Sequence, residues 1–267
     1  MMGSPVNETG RNATREAQVQ AVLTKGYYVG VYEVTQSQWE QVMGDVRSWP
    51  AKWSNNDYRL TRPVEQVSYY DIRENINNTD DAAVNWPAND AVTPGSFMGR
   101  LRTKTGLAGF DLPTDAQWEY ACRAGTSGAL SDGTVNLTNS TSDARLDLLG
   151  RYQYDGGKVW NGTAWVDPAT DCTTANATAE VGSYLPNAWG LYDMHGNVWE
   201  WCLDWYAGNL GTAPAEDPAG AVSGSYRVIR GGTWLNPASS CRSAYRRNDD
   251  PSSRYHSFGF RLVRTLP

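Results

Sequence analysis

The chain lacks several features that would indicate common functional classes. It has two histidines and four cysteines among 267 residues, and no two cysteines form a Cys-x-x-Cys pair. A structural zinc site or a multi-histidine iron centre would therefore have too few suitable ligands. Lysine and arginine do not cluster, and the formal net charge is −6, so no basic surface is available to neutralise phosphates. Nucleic acid is not expected as a partner.

Long hydrophobic runs are also absent. No stretch approaches the roughly 18 apolar residues that a membrane-spanning helix needs. The first residues show neither the charged segment nor the apolar core of an export signal. We therefore expect no membrane contact by this segment. Its localisation is unknown, and the cell surface or the extracellular space is favoured if an export signal or anchor was removed.

Four cysteines permit up to two disulfides in any of three connectivities, or none. They are Cys122, Cys172, Cys202 and Cys241. Their spacing does not choose among these arrangements, and free buried thiols remain an alternative to structural bridges.

The abundant residues indicate an α+β protein built from short helices and strands with much ordered loop. The chain has 26 Gly, 12 Trp and 15 Tyr and few leucine-rich periodic stretches, so long helices cannot dominate. Capping signals predict short helices after Thr35, Ser68 and Thr114. Strands are predicted at 27–34 and 63–67, a hairpin at 158–165, and a long surface excursion at 74–108.

Three glycine- and tryptophan-containing segments in the carboxyl-terminal third carry the most information. Residues 196–201 place Trp199 and Trp201 at strand spacing, so both indoles should share a face and pack in the core with Trp234. Glu200 between them is expected to pair with an arginine or a backbone donor, because an unpaired buried carboxylate is costly. Gly231-Gly232 permits a close backbone crossing, and residues 259–263 open a closing apolar strand.

These segments resemble the formylglycine-generating enzyme family, also called the sulfatase-modifying factor family. Residues 2–4, 32–35, 63–64, 112–114 and 118–120 match family motifs in the same order. The resemblance implies one C-type-lectin-like domain over residues 1–267.

The family's enzymes oxidise a cysteine in sulfatases with two copper-bound cysteines, placed five residues apart after the Gly-Gly element. Cys241 matches the second position, but Asn236 occupies the first. One thiolate cannot supply the two-sulfur geometry that Cu(I) favours, and an amide oxygen is a poor substitute. We therefore expect no catalysis, no required cofactor and no copper. The alternative is a copper oxidase of this family acting on protein cysteine.

The segment 233–258 indicates a different function. Residues that match the family frame alternate there with small, polar and aromatic residues, which include no Lys, Glu, Gln, Met or Trp. Those five residue types are unreachable when only the adenines of AAC or AAT codons are randomised. The frame residues are Trp234, Cys241, Arg242, Ser243, Ala244, Arg246, Pro251 and Arg254, followed by Gly259, Phe260 and Arg261. The pattern is similar to the variable proteins of diversity-generating retroelements. The candidate variable positions are Leu235, Asn236, Ser239, Ser240, Tyr245, Asn248, Asp249, Asp250, Ser252, Ser253, Tyr255, His256 and Ser257.

We predict a non-catalytic, receptor- or adhesin-like protein that displays a diversified carboxyl-terminal surface to a protein or cell-surface ligand. Tyr, Ser, Asn and Asp on a rigid frame suit recognition. Tyr245, Tyr255 and His256 have no periodicity that explains them as core, so we expect them on this surface. A structural or accessory module without diversification is a third alternative.

The resemblance also implies a structural calcium ion. The matching residues are Asn187, Ala188, Gly190 and Tyr192, where an amide side chain and turn carbonyls could offer hard oxygen ligands.

Overall fold

The computed structural model describes residues 1–44, 60–74, 90–154, 159–160, 165–166 and 178–266. Five short α-helices lie in these ranges: Gln36–Met43 (α1), Tyr69–Ile72 (α2), Phe97–Thr105 (α3), Asp115–Arg123 (α4) and Leu146–Leu149 (α5). None of the helices described is long and apolar enough to cross a membrane.

The strands are equally short and form small sheets. They are Ala21–Val22 (β1), Tyr27–Val29 (β2), Phe110–Asp111 (β3), Val159–Trp160 (β4), Trp165–Val166 (β5), Trp199–Trp205 (β6), Ala215–Glu216 (β7), Arg227–Arg230 (β8), Arg247–Asp249 (β9), Phe258–Gly259 (β10) and Val263–Thr265 (β11). The largest sheet has the order β10-β6-β8-β9, and a second has the order β2-β11-β3. β1 pairs in parallel with β7, and β4 pairs antiparallel with β5. Short mixed elements with much loop confirm the predicted α+β class.

Local capping signals located three helices correctly. Thr35, Ser68 and Thr114 each accept a hydrogen bond from the backbone N–H three residues later, and the side chain at that later position bonds back to the cap. This reciprocal arrangement satisfies donors that a helix start otherwise leaves unpaired. The first turns of α1, α2 and α4 are therefore specified by a few adjacent residues.

Other element predictions were only partly correct. Of the predicted surface excursion at 74–108, residues 75–89 lie outside the described residues, and the described part contains α3, which begins after the cap Ser96 and buries Phe97 and Met98. The predicted strand at 63–67 is reduced to a single bridge at Pro63, and the strand at 27–34 ends at Val29. The predicted hairpin at 158–165 appears as β4 and β5, whereas its turn lies outside the described residues.

The main core lies between the large sheet and helices α1 to α3. Trp199 and Trp201 of β6 are buried in it, as predicted, and Trp201 donates through Nε1 to the carbonyl of Val67 at 2.9 Å. Phe260 packs edge-on against both Trp39 of α1 and Phe97 of α3. This core holds β6, β8 and β10 in place. The segment 233–258 follows β8 in the chain and ends at the first residue of β10.

Candidate binding surface

Arg242 anchors the first part of segment 233–258 to the amino-terminal region. Its side chain is fully buried and donates through Nη1 to Glu16 Oε2 at 2.8 Å and through Nη2 to Glu16 Oε1 at 3.0 Å. It also pairs with Glu8 and donates through Nε to the carbonyl of Ser239 at 2.9 Å. Two carboxylates and a carbonyl therefore compensate one buried guanidinium.

Two further arginines of the frame anchor the middle of the segment. Arg246 donates through Nε to Asp115 Oδ2 at 2.7 Å, at the start of α4. Arg254 forms a bidentate pair with Asp71 of α2, with nitrogen–oxygen distances of 2.7 and 2.6 Å. Bidentate pairs fix direction as well as distance. The backbone between these anchors is therefore held on both sides.

Glu200 is paired as predicted. Arg261 donates to its two carboxylate oxygens at 2.7 Å each, and Trp118 Nε1 donates to Oε2 at 2.7 Å. Both members of the ion pair are fully buried. The pair links the residues that follow β10 to strand β6.

Candidate variable positions differ in exposure from these frame residues. Exposed side chains belong to Leu235, Asp250, Tyr255 and His256. Half-buried side chains belong to Asn236, Ser239, Tyr245, Asn248, Asp249, Ser252 and Ser253. Ser240 and Ser257 are buried, so the expectation that they face a ligand is wrong for their side chains. Eleven of the thirteen positions thus retain some access to solvent, whereas the frame residues Arg242 and Arg246 are buried and Arg254 is partly buried.

The loop after β9 is ordered by its own side chains. Asp250 Oδ1 accepts from the Ser252 backbone at 2.8 Å and from its hydroxyl at 2.6 Å. Asp249 Oδ1 accepts from the Asp250 backbone at 2.9 Å and from the Ser253 hydroxyl at 2.6 Å. Short polar residues that bond to nearby backbone stabilise turns in this way. The conformation of this loop is therefore stabilised by hydrogen bonds and does not depend on packing of apolar side chains.

The three aromatic candidates have different surroundings. Tyr255 is 51% exposed and meets Phe258 edge-on. His256 is exposed and lies 5.5 Å from the ring of Trp234. Tyr245, in contrast, packs on the main core and stacks on Trp199 with ring centroids 5.9 Å apart. The expectation of a surface side chain is therefore wrong in part for Tyr245, because Trp199 covers one of its faces.

This difference predicts separate stability effects. Replacing Tyr255 and His256 together by Ala should change the free energy of unfolding by less than about 0.5 kcal/mol, because both side chains are exposed. Tyr245→Ala should lower it by about 1–3 kcal/mol, because the stack on Trp199 is lost. Urea denaturation followed by tryptophan fluorescence measures both. A large loss in the double variant would show that these side chains support the core.

Cys241 and Asn236 do not form a two-sulfur site. Asn236 Oδ1 accepts from the Thr233 hydroxyl at 3.1 Å, and Cys241 is fully buried at the end of a 3-10 helix, Ala238–Cys241. Cys122, Cys202 and Cys241 are buried, and Cys172 lies outside the described residues. Within the part of the chain that the structure describes, no group of three or more His, Cys, Asp or Glu side chains could hold a metal ion.

His195 is a packing residue beneath the surface. Its Nε2 accepts from the Ser131 backbone at 3.1 Å, so Nδ1 carries the proton and donates to the Cys241 carbonyl at 2.8 Å. Burial lowers its pKa to about 4, so the neutral ring persists at neutral pH. It therefore holds the 3-10 helix in place and is not available as a general base.

The predicted calcium residues are engaged elsewhere. Asn187 Oδ1 accepts from the backbone of Trp189 at 3.0 Å and of Leu191 at 3.1 Å, and its Nδ2 donates to the carbonyls of Ala121 and Cys122. The Tyr192 carbonyl accepts from Arg261 at 2.9 Å. Calcium binding by this set, with Ala188 and Gly190, stays a prediction, and the ion would have to share Asn187 Oδ1 and the Tyr192 carbonyl with these donors.

Sequence reasoning missed the carboxylates that support the surface from outside it. Glu8 and Glu16 lie more than 220 positions from Arg242 along the chain, and both are buried. No local periodicity marks either residue as a partner for Arg242. The one available signal was the arginine itself. A guanidinium that is buried with the frame loses its hydration and therefore needs carboxylates from elsewhere in the chain.

Comparison with known proteins places this arrangement in a family. The model of the sulfatase-modifying factor enzyme 1-like domain matches residues 2–266. The chain belongs to this family. It is 31% identical over 255 residues to the chaperone protein LppX of Paenibacillus barcinonensis, covering 91% of this chain and 82% of the relative.

Two further relatives bear on function. The formylglycine-generating enzyme of Streptomyces coelicolor is 37% identical over 164 residues, and the match spans 58% of this chain but 47% of the enzyme. Treponema denticola variable protein 1 has a similar structure, with a TM-score of 0.66 and 26% identity, covering 100% of this chain and 94% of that protein. The resemblance to both the enzyme family and the variable proteins is thereby confirmed.

Proposed function

We propose that this protein is a non-catalytic binding protein whose ligand-contacting surface is built from the accessible positions of 235–257. The observation that carries the proposal is the alternation of ion-paired frame residues, which are buried or partly buried, with accessible side chains in one segment. Arg242, Arg246 and Arg254 hold the backbone, and the residues between them can change without disturbing an ion pair.

A rigid frame favours binding because less conformational entropy is lost when the ligand docks. Tyr255 offers contact area, whereas Asn248, Asp250 and Ser252 offer hydrogen-bonding groups that suit different partners. The similarity to Treponema denticola variable protein 1 over the full chain supports this proposal. The relative LppX, named as a chaperone protein, supports a role in protein binding. A protein or cell-surface molecule is therefore the proposed ligand class.

Deep sequencing of this gene across a population tests the proposal. We expect substitutions at adenines of codons 235–257, a template copy nearby, and frame codons such as those of Arg242 and Arg254 unchanged. Ser240 and Ser257 are expected to tolerate a narrower set of residues than Tyr255, because their side chains are buried. An invariant segment throughout the population would contradict the proposal.

A second candidate function, oxidation of protein cysteine, is supported by the 37% identity to a formylglycine-generating enzyme. It conflicts with the single buried thiol at Cys241 and with Asn236 at the other position. We expect no aldehyde when the protein is incubated with a sulfatase-type cysteine peptide, copper and oxygen. Mass spectrometry of the peptide measures this, and turnover that disappears in Cys241→Ser would favour the enzyme.

A further inference from the structure

A cleft of about 580 Å³ lies away from the candidate binding surface. Its floor is helix α4, which contributes Ala116, Glu119, Tyr120 and Arg123. These residues recur at the spacing of one helix face. No residue of 233–258 lines the cleft, so a ligand there would not compete directly with one held by the variable positions.

One side of the cleft is the free edge of β2. Gly30 N–H donates to the Leu262 carbonyl at 2.7 Å, and Leu266 N–H donates to the Gly26 carbonyl at 3.0 Å. Because antiparallel pairing alternates, the main-chain groups of Tyr27 and Val29 point away from β11. Tyr27 and Val29 line the cleft, whereas Tyr28 between them does not.

The free edge of β1 contributes in the same way. The backbone N–H groups of residues 215 and 217 donate to the carbonyls of Gln20 and Val22, so these two residues face β7. The main-chain groups of Ala21 and Leu23 therefore lie on the opposite edge. Ala21 and Leu23 line the cleft, whereas Val22 does not. Among the described residues, the edge of β2 at Tyr27 and Val29 is thus unpaired beside the cleft, whereas the edge of β1 is paired with Met2 at Val19 and is open only beyond that point.

An exposed aromatic pair also borders the cleft. Tyr120 is 53% exposed and Trp189 is 47% exposed, with ring centroids 4.9 Å apart in an edge-on arrangement. Large aromatic side chains that are half exposed next to a concave site are common anchors for a bound partner. They could take an apolar side chain of a segment lying along the strand edges.

The charges at the cleft favour an acidic partner. Glu119 and Arg123 on its floor form an ion pair at 2.9 Å and so offset one another. Lys25 at its rim is exposed and brings a positive charge to this end of the cleft, where Asp217, which does not line the cleft, partly offsets it. An acidic residue flanking an extended segment would therefore be attracted to this end of the cleft.

We propose that this cleft binds an extended peptide segment of a partner protein, with an apolar side chain and a flanking acidic residue, by strand addition. The segment hydrogen-bonds through its main chain to the edge of β2, as extended peptides do at exposed sheet edges. Its apolar side chain contacts Tyr120 and Trp189. This site is a second one, independent of the diversified surface.

The test begins with selection of a phage-displayed random peptide library on the full chain. Synthetic copies of the enriched peptides are then titrated by fluorescence anisotropy. We expect Trp189→Ala and Tyr120→Ala each to weaken binding roughly tenfold or more, a loss of about 1.4 kcal/mol. Tyr28→Ala is the matched control, since this exposed aromatic lies on the same strand but outside the cleft, and it should leave the affinity unchanged.

Backbone N-methylation separates strand addition from contact with side chains alone. Two versions of an enriched peptide are made, one N-methylated at the odd-numbered residues and one at the even-numbered residues. Both keep every side chain, and each lacks the N–H donors of one edge of the extended peptide. We expect at least one version to bind roughly tenfold more weakly or worse. Equal affinity of both versions and the parent peptide would overturn the proposal.

Three other outcomes would overturn the proposed occupant. One is that no peptide family enriches over the library. Another is that enriched peptides bind equally well to Trp189→Ala and wild type but lose affinity for Tyr255→Ala, which would assign them to the candidate binding surface. The third is a dimer in sedimentation velocity that dissociates in Tyr120→Ala, because a second copy of the chain would then occupy the cleft. Circular dichroism of each variant checks that the fold is retained.

Discussion

Replacing Arg242 by Met is expected to lower the free energy of unfolding by about 3–5 kcal/mol. The substitution leaves Glu8 and Glu16 buried without their cation, and Met cannot donate to the carbonyl of Ser239. Removing one member of a buried ion pair costs more than the pair contributes, because the remaining charge has lost its water. The backbone that carries Ser239 should lose its support at the same time.

Urea denaturation measures this loss, and Arg145→Met provides the matched control. Arg145 pairs with Asp132 at 2.8 Å, but its side chain is 60% exposed. An exposed ion pair contributes less than about 1 kcal/mol, so the control variant should unfold close to wild type. Equal effects of the two substitutions would show that the contact between Arg242 and the amino-terminal region does not stabilise the fold.

The elements predicted from sequence are those specified by adjacent residues. Thr35, Ser68 and Thr114 predict helix starts because each cap residue and the side chain that bonds back to it lie only three positions apart. Helix α3 was missed because glycine and threonine interrupt its apolar face, and the cap Ser96 is a weak signal without a glutamate or glutamine after it. Its stability comes from packing of Phe97 against the core, which a single sequence does not reveal.

In the candidate site, too, features set by the local sequence were predicted, whereas contacts between residues far apart in the chain were not. Separating frame from variable positions in 233–258 used family motifs and residue types, and exposure follows that separation at most positions. It did not reveal that Trp199 covers Tyr245, because the contact joins residues 46 apart through sheet packing. The calcium residues were chosen by motif position, whereas the hydrogen bonds of Asn187 depend on the turn that follows it and on α4.

The thiol and imidazole groups beneath the candidate binding surface are buried and held by neighbouring residues. Burial raises the pKa of the Cys122 thiol to about 12, so this thiol stays protonated and unreactive at neutral pH. His195 is fixed between Ser131 and the Cys241 carbonyl. The groups beneath the surface are therefore structural, and the chemistry available to a ligand lies in the accessible side chains.

Glu65→Gln is expected to stabilise the protein increasingly as the pH rises. Glu65 is 2% exposed, and its Oε1 has no hydrogen-bond partner among the described residues. Burial raises its pKa to about 8, although Arg62 opposes the shift. The folded state therefore retains a proton that the unfolded chain releases near pH 4.5. Stability from the protonated form is complete below that pH and is lost as the pH rises to about 8.

The gap between Glu65→Gln and wild type should thus grow by about 1.4 kcal/mol per pH unit over this range and level off above it. Urea denaturation at several pH values measures the gap, and Glu216→Gln, which alters an exposed carboxyl, is the matched control. Parallel curves for Glu65→Gln and wild type would contradict the prediction. The neighbouring Gln66 N–H donates to the Tyr255 carbonyl at 2.9 Å, so ionisation of Glu65 should also loosen the backbone at Tyr255, an exposed aromatic residue of the candidate binding surface.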